Sequence, residues 1–445
     1  MLRYLSILFL SAIMVACSSD EVLSDEPTTI VEYKYTEHNQ WIYEQMNHDY
    51  LWREDLPDRL DCNYSLHPSD FFKSILSPQD RFSYITENFS YNPNAAQYYG
   101  FGFQEYSDKK GYSAIQVQYV TSHNCKNAGV VRGHFYNIIS KNASNIVLRK
   151  VSYDENNGFM ETDTIITLPT SSSATTVIKD TIITKSQHVV GYLCYKEFDD
   201  ITDLHKALIS FRENRITDLV LDLRYNPGGY VSTCQYLCNC IVSENGYGQI
   251  FQQHSYNSIL SRQNFESTGD ERTYDYFKTP ASPETPTLGV GIIALNLPRV
   301  YVLVSSHTAS ASEATIICLK PYMDVIIIGE RTCGKGVGSR TISDSRYKYA
   351  LHPITFRYYN ADNETVPDEG LEPNYFVADG YSTMCRELGD ENELLLRTAL
   401  DLILGNPLST RRTSAQFNNS ENTLTPIGEP SYVTDFYNKH NNEKN

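Results

Sequence analysis

Three short polar turns follow apolar runs in the second half of the chain. They read DLRYNPGG at 222–229, TASASEATII at 308–317 and GERTCGKGVGS at 329–339. A serine hydroxyl attacks a carbonyl only when a base takes its proton, and the resulting oxyanion needs N–H donors. Serines, a lysine and glycine-flanked amides in three such turns therefore raise the hypothesis of a hydrolytic site.

The serine-rich turn has two interpretations. Ser310 and Glu313 fit the capping box Ser-x-x-Glu, which is a structural device for starting a helix. The alternative makes Ser310 a nucleophile at a strand-to-helix junction, with the amide of Ala311 and the positive helix end stabilising an oxyanion. The two interpretations are compatible, because Ser312 or Thr308 could share the capping and leave Ser310 free to react.

The glycine-rich turns are also ambiguous. Gly228 and Gly229 let a backbone approach a ligand, but Asn-Pro-Gly-Gly is also ordinary turn chemistry, which is the favoured interpretation of this turn alone. The segment around Lys335 matches Gly-x-x-x-x-Gly-Lys, yet Gly336 stands where a phosphate-binding loop needs Ser or Thr. We therefore reject nucleotide binding. A buried lysine loses its charge more easily, so Lys335 could instead act as a general base.

In this order the three turns resemble those of the C-terminal processing peptidases, a family of serine peptidases with a Clp/crotonase-like core. The resemblance implies that Ser310 is the nucleophile and that Lys335, 25 residues further on, is its base. It also implies that the oxyanion is bound by the amides of Ala311 and of Gly228 or Gly229.

Three nearby residues qualify the resemblance. Ser339 stands four residues after the lysine, where many relatives have a glutamine that orients the dyad. Ser339 and Glu313 are the expected supporting residues. His307 is a rival base, but a lone histidine near a turn is more often structural.

An earlier part of the chain, YGFGFQEY and AGVVRG included, is similar to the PDZ domain of the same family. The resemblance implies that loop amides around Gly100, Phe101 and Gly102 take the carboxylate of a chain end, which would be added as a strand. His134 follows RG where aspartate is usual. Two copies of DTIIT, at 163 and 180, predict the arms of one hairpin.

These patterns predict an α/β protein whose apolar strands and helices alternate after residue 188, giving a largely parallel sheet with helices on both faces. The predicted organisation is a lipoprotein signal peptide and lipobox (1–17), an acidic tether (18–35), a helical N-terminal domain (36–96), a PDZ-like domain (97–187), a serine protease catalytic domain (188–405) and a polar tail (406–445).

The N-terminal segment MLRYLSILFLSAIMVAC reads as a secretory signal whose MVAC resembles a lipobox, with Cys17 as the acylated residue. This predicts a lipid anchor on the outer membrane of a Gram-negative envelope, on the periplasmic or the outer face. The net charge of −17 argues against nucleic acid as a partner. No zinc-site spacing occurs, and we expect neither a metal nor a cofactor.

Nine cysteines follow Cys17 without a CxxC pair, and we interpret them mainly as buried apolar residues, although the compartment permits a disulfide. The leading functional hypothesis is an envelope serine endopeptidase acting on polypeptides. The alternative is a catalytically inactive lipoprotein that binds peptide or lipid on the same fold. A polysaccharide-binding surface is disfavoured, because the aromatic residues are spread along the chain. The sequence predicts no oligomeric state.

Overall fold

The computed structural model describes residues 35–87, 98–142, 144–170, 175–280, 289–378, 385–407 and 424–435. The predicted acylation site, Cys17, lies outside these residues. Among the helices of the described ranges, none is long and apolar enough to span a membrane.

The N-terminal part is a small helical layer made of α1 (Thr36–Asp49), α2 (Pro68–Ser74) and a short strand, β1 (Tyr84–Glu87). The predicted apolar stripe of Ile42, Met46 and Tyr50 is fully buried and packs with Phe71 of α2. This repeat of four positions puts the side chains on one face of the helix, so the helical prediction is confirmed.

The next part is an antiparallel sheet. It consists of β2 (Phe101–Asp108), β3 (Ser113–Val120), β4 (Phe135–Lys141), β5 (Asn145–Asp154) and β6 (Gly158–Pro169), with a short helix, α3 (His123–Asn127), between β3 and β4. We call this part the β2–β6 domain. Its strands are neighbours in sequence order, and its core lies between the sheet and α3.

The remaining elements belong mostly to the α/β part. They are β7 (Val177–Lys185), β8 (His188–Tyr195), α4 (Thr202–Glu213), β9 (Asp218–Asp222), α5 (Val231–Ile241), β10 (Ile250–Ser255), α6 (Ser258–Thr268), β11 (Thr273–Tyr276), β12 (Arg299–Val304), α7 (Ala311–Leu319), β13 (Asp324–Gly329), β14 (Val337–Ser339), β15 (Ile342–Ser343), β16 (Tyr349–His352), β17 (Ile354–Tyr359), β18 (Tyr375–Phe376), α8 (Leu394–Leu404) and β19 (Leu424–Ile427). Of these, β15 and β16 form a sheet with β1, and β19 pairs with β2.

The central sheet has the order β18-β13-β12-β9-β8-β7. All its neighbouring strands are parallel except the pair of β7 and β8. Residues of α4, α5 and α7 form the core on one face, and α8 covers the other face. The predicted α/β class, with a mainly parallel sheet between helical layers, is confirmed.

The prediction that the two DTIIT copies form the arms of one hairpin is wrong. The first copy lies in β6, which pairs with β5, and the second lies in β7, which pairs with β8 of the central sheet. Similar sequence in two strands does not determine pairing, because each strand pairs with whichever neighbour completes a buried face. The change from one sheet to the other consequently falls between residues 169 and 177, earlier than the predicted boundary at 187.

The described end of the chain also differs from a polar tail. Strand β19 pairs with β2, and Tyr432 and Val433 are buried against the core under α8.

The nine cysteines of the described residues are free thiols, and six of them are buried, as predicted for small apolar residues.

The central sheet brings the three polar turns together. Strands β9, β12 and β13 are adjacent, with Leu303 opposite Asp222 and Val304 opposite Gly329. Because parallel strands end at the same edge, the turns that follow them meet there.

Candidate active site

The hydroxyl groups around Ser310 join the serine-rich turn to the DLRYNPGG turn. Ser305 Oγ donates to the Arg224 carbonyl at 2.6 Å, Thr308 Oγ1 to Leu223 at 2.9 Å, and Ser312 Oγ to Asn226 at 2.9 Å. Three of the hydroxyls are therefore structural. Ser310 differs from them, because among the described residues its hydroxyl donates to no protein group.

Ser310 has an unusual backbone conformation, with φ 57° and ψ −116°. Residues with a side chain rarely adopt positive φ, and such strain costs on the order of 1–3 kcal/mol and concentrates at functional sites. The residue is the N-cap of α7, and its N–H donates to Glu313 Oε2 at 2.9 Å, so the predicted capping box is present. The capping box fixes the backbone of Ser310 at the helix start.

The buried carboxylate of Glu313 holds the serine turn and the lysine turn together. Besides Ser310, the donors to it are the N–H of Lys335 at 2.8 Å, the N–H of Gly334 at 2.8 Å and the Thr332 hydroxyl at 2.5 Å. The Thr332 hydroxyl itself accepts the Leu371 N–H, so its proton is free for the carboxylate.

Four donors facing two oxygens fit the ionised form of Glu313. Burial raises the pKa of this carboxyl above its ordinary value, and the four hydrogen bonds oppose that rise only in part. The Glu313 carboxylate thus fixes the backbone of both Ser310 and Lys335, because the two N–H groups donate to the same oxygen, Oε2.

The side chain of Lys335 is buried, with 8% of its surface exposed. Burial lowers its pKa below the usual lysine value, and the nearby Cys333, Glu313 and Asp80 oppose this shift. Its Nζ lies 5.4 Å from the centre of the Phe82 ring, and among the described residues no carboxylate forms an ion pair with it. This environment favours the neutral amine.

The glycines that flank Lys335 are required by close packing. A Cβ at Gly334 would lie 2.2 Å from the Asp368 carbonyl oxygen, and one at Gly336 would lie 2.7 Å from that of Val366. The lysine turn is thus pressed against residues 366–370.

Sequence reasoning did not identify two residues that complete this region. The buried Tyr358 hydroxyl lies 2.9 Å from the Lys335 carbonyl oxygen and 3.1 Å from that of Ser310, so its one proton is shared between the two turns. Arg81 of the N-terminal part donates to the carbonyls of Gly334 and Asp368, both at 2.9 Å. Arg81 lies in the segment SPQDRFSYI and Tyr358 in ITFRYYN, both of which resemble segments of the C-terminal processing peptidases, but residue type alone gives neither side chain a role.

The NPGG turn lies directly against Ser310. A Cβ at Gly228 would come within 2.8 Å of the Ser310 Cβ and 3.2 Å of the Ala311 nitrogen. The N–H of Gly228 already donates to Asn226 Oδ1 at 2.9 Å. Among the described residues the amides of Gly229 and Ala311 have no acceptor. These two amides, rather than that of Gly228, are available to an oxyanion.

Ser339 and His307 have other partners. Ser339 is exposed at the end of β14, where it pairs with Ile354. The ring of His307 is half-buried and its Nδ1 lies 3.7 Å from Glu429, and burial lowers its pKa.

The three residues of the predicted peptide-binding loop have packing roles. Phe101 is buried in the core of the β2–β6 domain. A Cβ at Gly100 would lie 2.2 Å from the Ser122 Cβ, and one at Gly102 would lie 2.4 Å from the Tyr119 ring. Packing therefore requires glycine at both positions, whatever the loop binds.

In the ranges that the structure describes, no group of three or more His, Cys, Asp or Glu side chains is arranged to hold a metal ion. The chemistry available at the site is thus that of a hydroxyl, a buried amine and two free amides at the edge of an α/β sheet.

Comparison with family models agrees with this class of site. Residues 189–377 match peptidase family S41, and residues 37–84 match the peptidase S41 N-terminal domain. Together the two matches take in more than half of the chain. The chain therefore belongs to peptidase family S41, the family of the C-terminal processing peptidases.

Individual relatives are more distant. The chain is 25% identical over 196 residues to the carboxy-terminal processing protease CtpB of Bacillus subtilis, a match of 43% of this chain and 34% of that protein. It is 24% identical over 257 residues to a carboxyl-terminal-processing protease of Picosynechococcus, covering 55% and 52%. The chain thus spans about a third to a half of the curated relatives that it matches.

A solved structure is similar over more of the chain. It is that of a candidate S41 protease from Bacteroides fragilis, which is 27% identical and superposes with a TM-score of 0.68 over 82% of this chain and 97% of that one.

Proposed function

We propose that the protein is a serine endopeptidase of the C-terminal processing type that cuts polypeptides with a Ser310/Lys335 dyad. Membership of peptidase family S41 supports the class. The observation that carries the dyad is the Glu313 carboxylate, which accepts the N–H of both residues, at 2.9 and 2.8 Å.

In the first half of the proposed reaction, Ser310 Oγ attacks the scissile carbonyl carbon, and its proton passes to the neutral Nζ of Lys335. The amides of Ala311 and Gly229 bind the oxyanion that forms. The C–N bond then breaks, the Lys335 ammonium returns the proton to the leaving amine, and the acyl group remains on Ser310.

In the second half, Lys335 takes a proton from water, and the resulting hydroxide attacks the acyl carbon. The ester bond to Ser310 breaks and the serine oxygen recovers the proton from Lys335. The lowered pKa of Lys335 supports both proton transfers, because a general base works best when its pKa is close to the ambient pH.

For substrate docking we propose that the β2–β6 domain is PDZ-like and receives a chain end as an added strand along β2, near Gly100–Gly102. The support is the resemblance of its sequence and its antiparallel sheet, in which only the short strand β19 lies outside β2. The substrate class is thus a polypeptide with a free or flexible end.

The test is cleavage of an unfolded protein, such as reduced and alkylated casein, by purified variants. Ser310→Ala and Lys335→Ala should each lower the rate by about 10³-fold or more, because a dyad fails when either member is lost. Ser306→Ala and Lys320→Ala are matched controls, since both residues are exposed and lie near the site in sequence. The controls should keep the wild-type rate.

Equal cleavage by Ser310→Ala and by the wild type would refute the proposal. Peptide binding by a folded wild type that never cleaves would instead support an inactive receptor on the same fold. Circular dichroism of each variant separates a chemical loss from a folding defect.

We also propose attachment to the outer membrane of a Gram-negative envelope through an acylated Cys17, on the strength of the MVAC sequence alone. Metabolic labelling with an alkyne fatty acid should mark the wild type and leave Cys17→Ser unlabelled. Labelling of both proteins would refute the anchor.

A further inference from the structure

The outer edge of β2 is occupied by a later segment of the same chain. Strand β2 pairs with β3 on one side and antiparallel with β19 on the other, with Leu424 opposite Asp108 and Ile427 opposite Glu105. A strand edge offers one row of N–H and C=O groups, so it holds one partner at a time. A polypeptide added along this edge must therefore displace β19.

Strand β19 buries little of its own surface. Of its four residues only Leu424 is buried, and the other three are exposed. Its end is held by polar contacts: the Gln104 side-chain amide donates to the Ile427 carbonyl at 3.0 Å, and the Phe103 N–H donates to Ser431 Oγ at 2.9 Å. An incoming strand offers the same kinds of acceptor, and exchange of β19 itself costs little apolar burial because only Leu424 of this strand is buried.

The residues that follow β19 contact the turns of the candidate active site. The buried ring of Tyr432 lies 5.4 Å from that of Tyr225 and 5.9 Å from that of His307, measured between centres. Tyr225 belongs to the DLRYNPGG turn, and His307 precedes Ser310 by three positions. Glu429 lies 3.7 Å from His307 Nδ1. One segment, residues 424–435, thus contacts both β2 and the two turns.

We propose that residues 424–435 are a built-in competitor for the β2 edge, which an incoming polypeptide must displace before it docks there. Departure of the segment also removes Tyr432 from the rim of the active site. The effect on cleavage rests on the proposed function, whereas the competition for β2 stands on the strand pairing alone.

The binding test uses the full chain in a Ser310→Ala background and a fluorescein-labelled peptide with the sequence of residues 424–435, LTPIGEPSYVTD. A tethered segment competes at an effective concentration on the order of millimolar, so the labelled peptide should bind weakly. Leu424→Ala with Tyr432→Ala removes two of the buried anchors of the segment and should tighten binding at least ~10-fold. Thr425→Ala is the matched control, because Thr425 is exposed in the same strand.

Equal affinity of the labelled peptide for the double variant and the control, or no binding to either, would overturn the proposal. A scrambled peptide of the same composition should not bind, and equal binding of both peptides would also overturn it. Thermal unfolding of each variant confirms that the binding measurements are made on folded protein.

The activity test uses the same variants with Ser310 restored. The double variant should cleave unfolded casein at least ~3-fold faster than the wild type, and added LTPIGEPSYVTD should reverse the gain. A folded double variant that binds the peptide but cleaves no faster refutes the inhibitory effect. If no variant cleaves while the binding results hold, the proposed function fails and the competition for β2 stands.

Discussion

The candidate active site and the β2 edge are held together in opposite ways. At the active site a buried carboxylate, Glu313, accepts four hydrogen bonds that water cannot replace. At the β2 edge a four-residue strand with three exposed members makes contacts that another strand or water can replace. Substitutions should therefore have large effects at the first place and graded effects at the second.

The largest effect on stability is expected for Glu313→Gln. The glutamine amide has nearly the same shape, but its NH₂ group faces donors that then have no acceptor. Each such buried group costs about 1–3 kcal/mol. We expect chemical denaturation to show a loss of about 3 kcal/mol or more, and cleavage to fall by at least ~10²-fold. Thr332→Val removes one donor and keeps the charge, so it should cost less. Equal stability of wild type and Glu313→Gln would mean that the site is held in the same loose way as the β2 edge.

A change at Lys335 should separate chemistry from stability. The pKa of Lys335 in the folded protein is below the value of ~10.4 for an exposed lysine. Between these two pKa values the unfolded chain binds more protons than the folded chain, so this residue makes stability rise with pH there. The cleavage rate should rise with pH as the amine loses its proton.

Lys335→Met keeps an unbranched side chain that is one atom shorter and removes the amine. We expect a loss of cleavage of about 10³-fold or more together with equal or higher stability at neutral pH. Chemical denaturation of both proteins across the same pH range measures the second part. A lower stability of Lys335→Met would contradict the neutral, buried amine.

Tyr358→Phe should have an intermediate effect. The Ser310 carbonyl also accepts the Ala314 N–H at 2.8 Å, so the loss falls mainly on the Lys335 carbonyl. We expect a loss of about 1–2 kcal/mol in stability and ~10-fold in kcat/KM. An unchanged kcat/KM would show that the lysine turn is positioned by Glu313 alone.

The smallest effect is expected at an exposed position in the β2–β6 domain. Ile165 in β6 is 55% exposed. Ile165→Thr keeps a β-branched side chain, and we expect a change in stability within about 0.5 kcal/mol and an unchanged cleavage rate. A loss above 1 kcal/mol would indicate that this face of the sheet packs against another surface.

Much of the α/β part could be predicted from local pattern. The continuous apolar run of β9 and the stripe of Leu204, Leu208 and Phe211 in α4 follow from burial, and all these residues are buried. The three turns were found because they follow strands. The partners of β6 and β7, which are β5 and β8, could not be predicted, because the repeated DTIIT sequence does not determine which strand each copy pairs with.

The candidate site divides in the same way. The residue types raised Ser310, Lys335 and the glycine turn as candidates, and the resemblance of the three turns to those of the C-terminal processing peptidases implied their roles. Only the tertiary structure revealed that Gly228 N–H is already used, that Tyr358 joins the two turns, and that β19 covers β2. These facts depend on contacts between residues that are far apart in the sequence. Buried polar groups and strand edges need hydrogen-bond partners, and only the folded protein determines which partners are within reach.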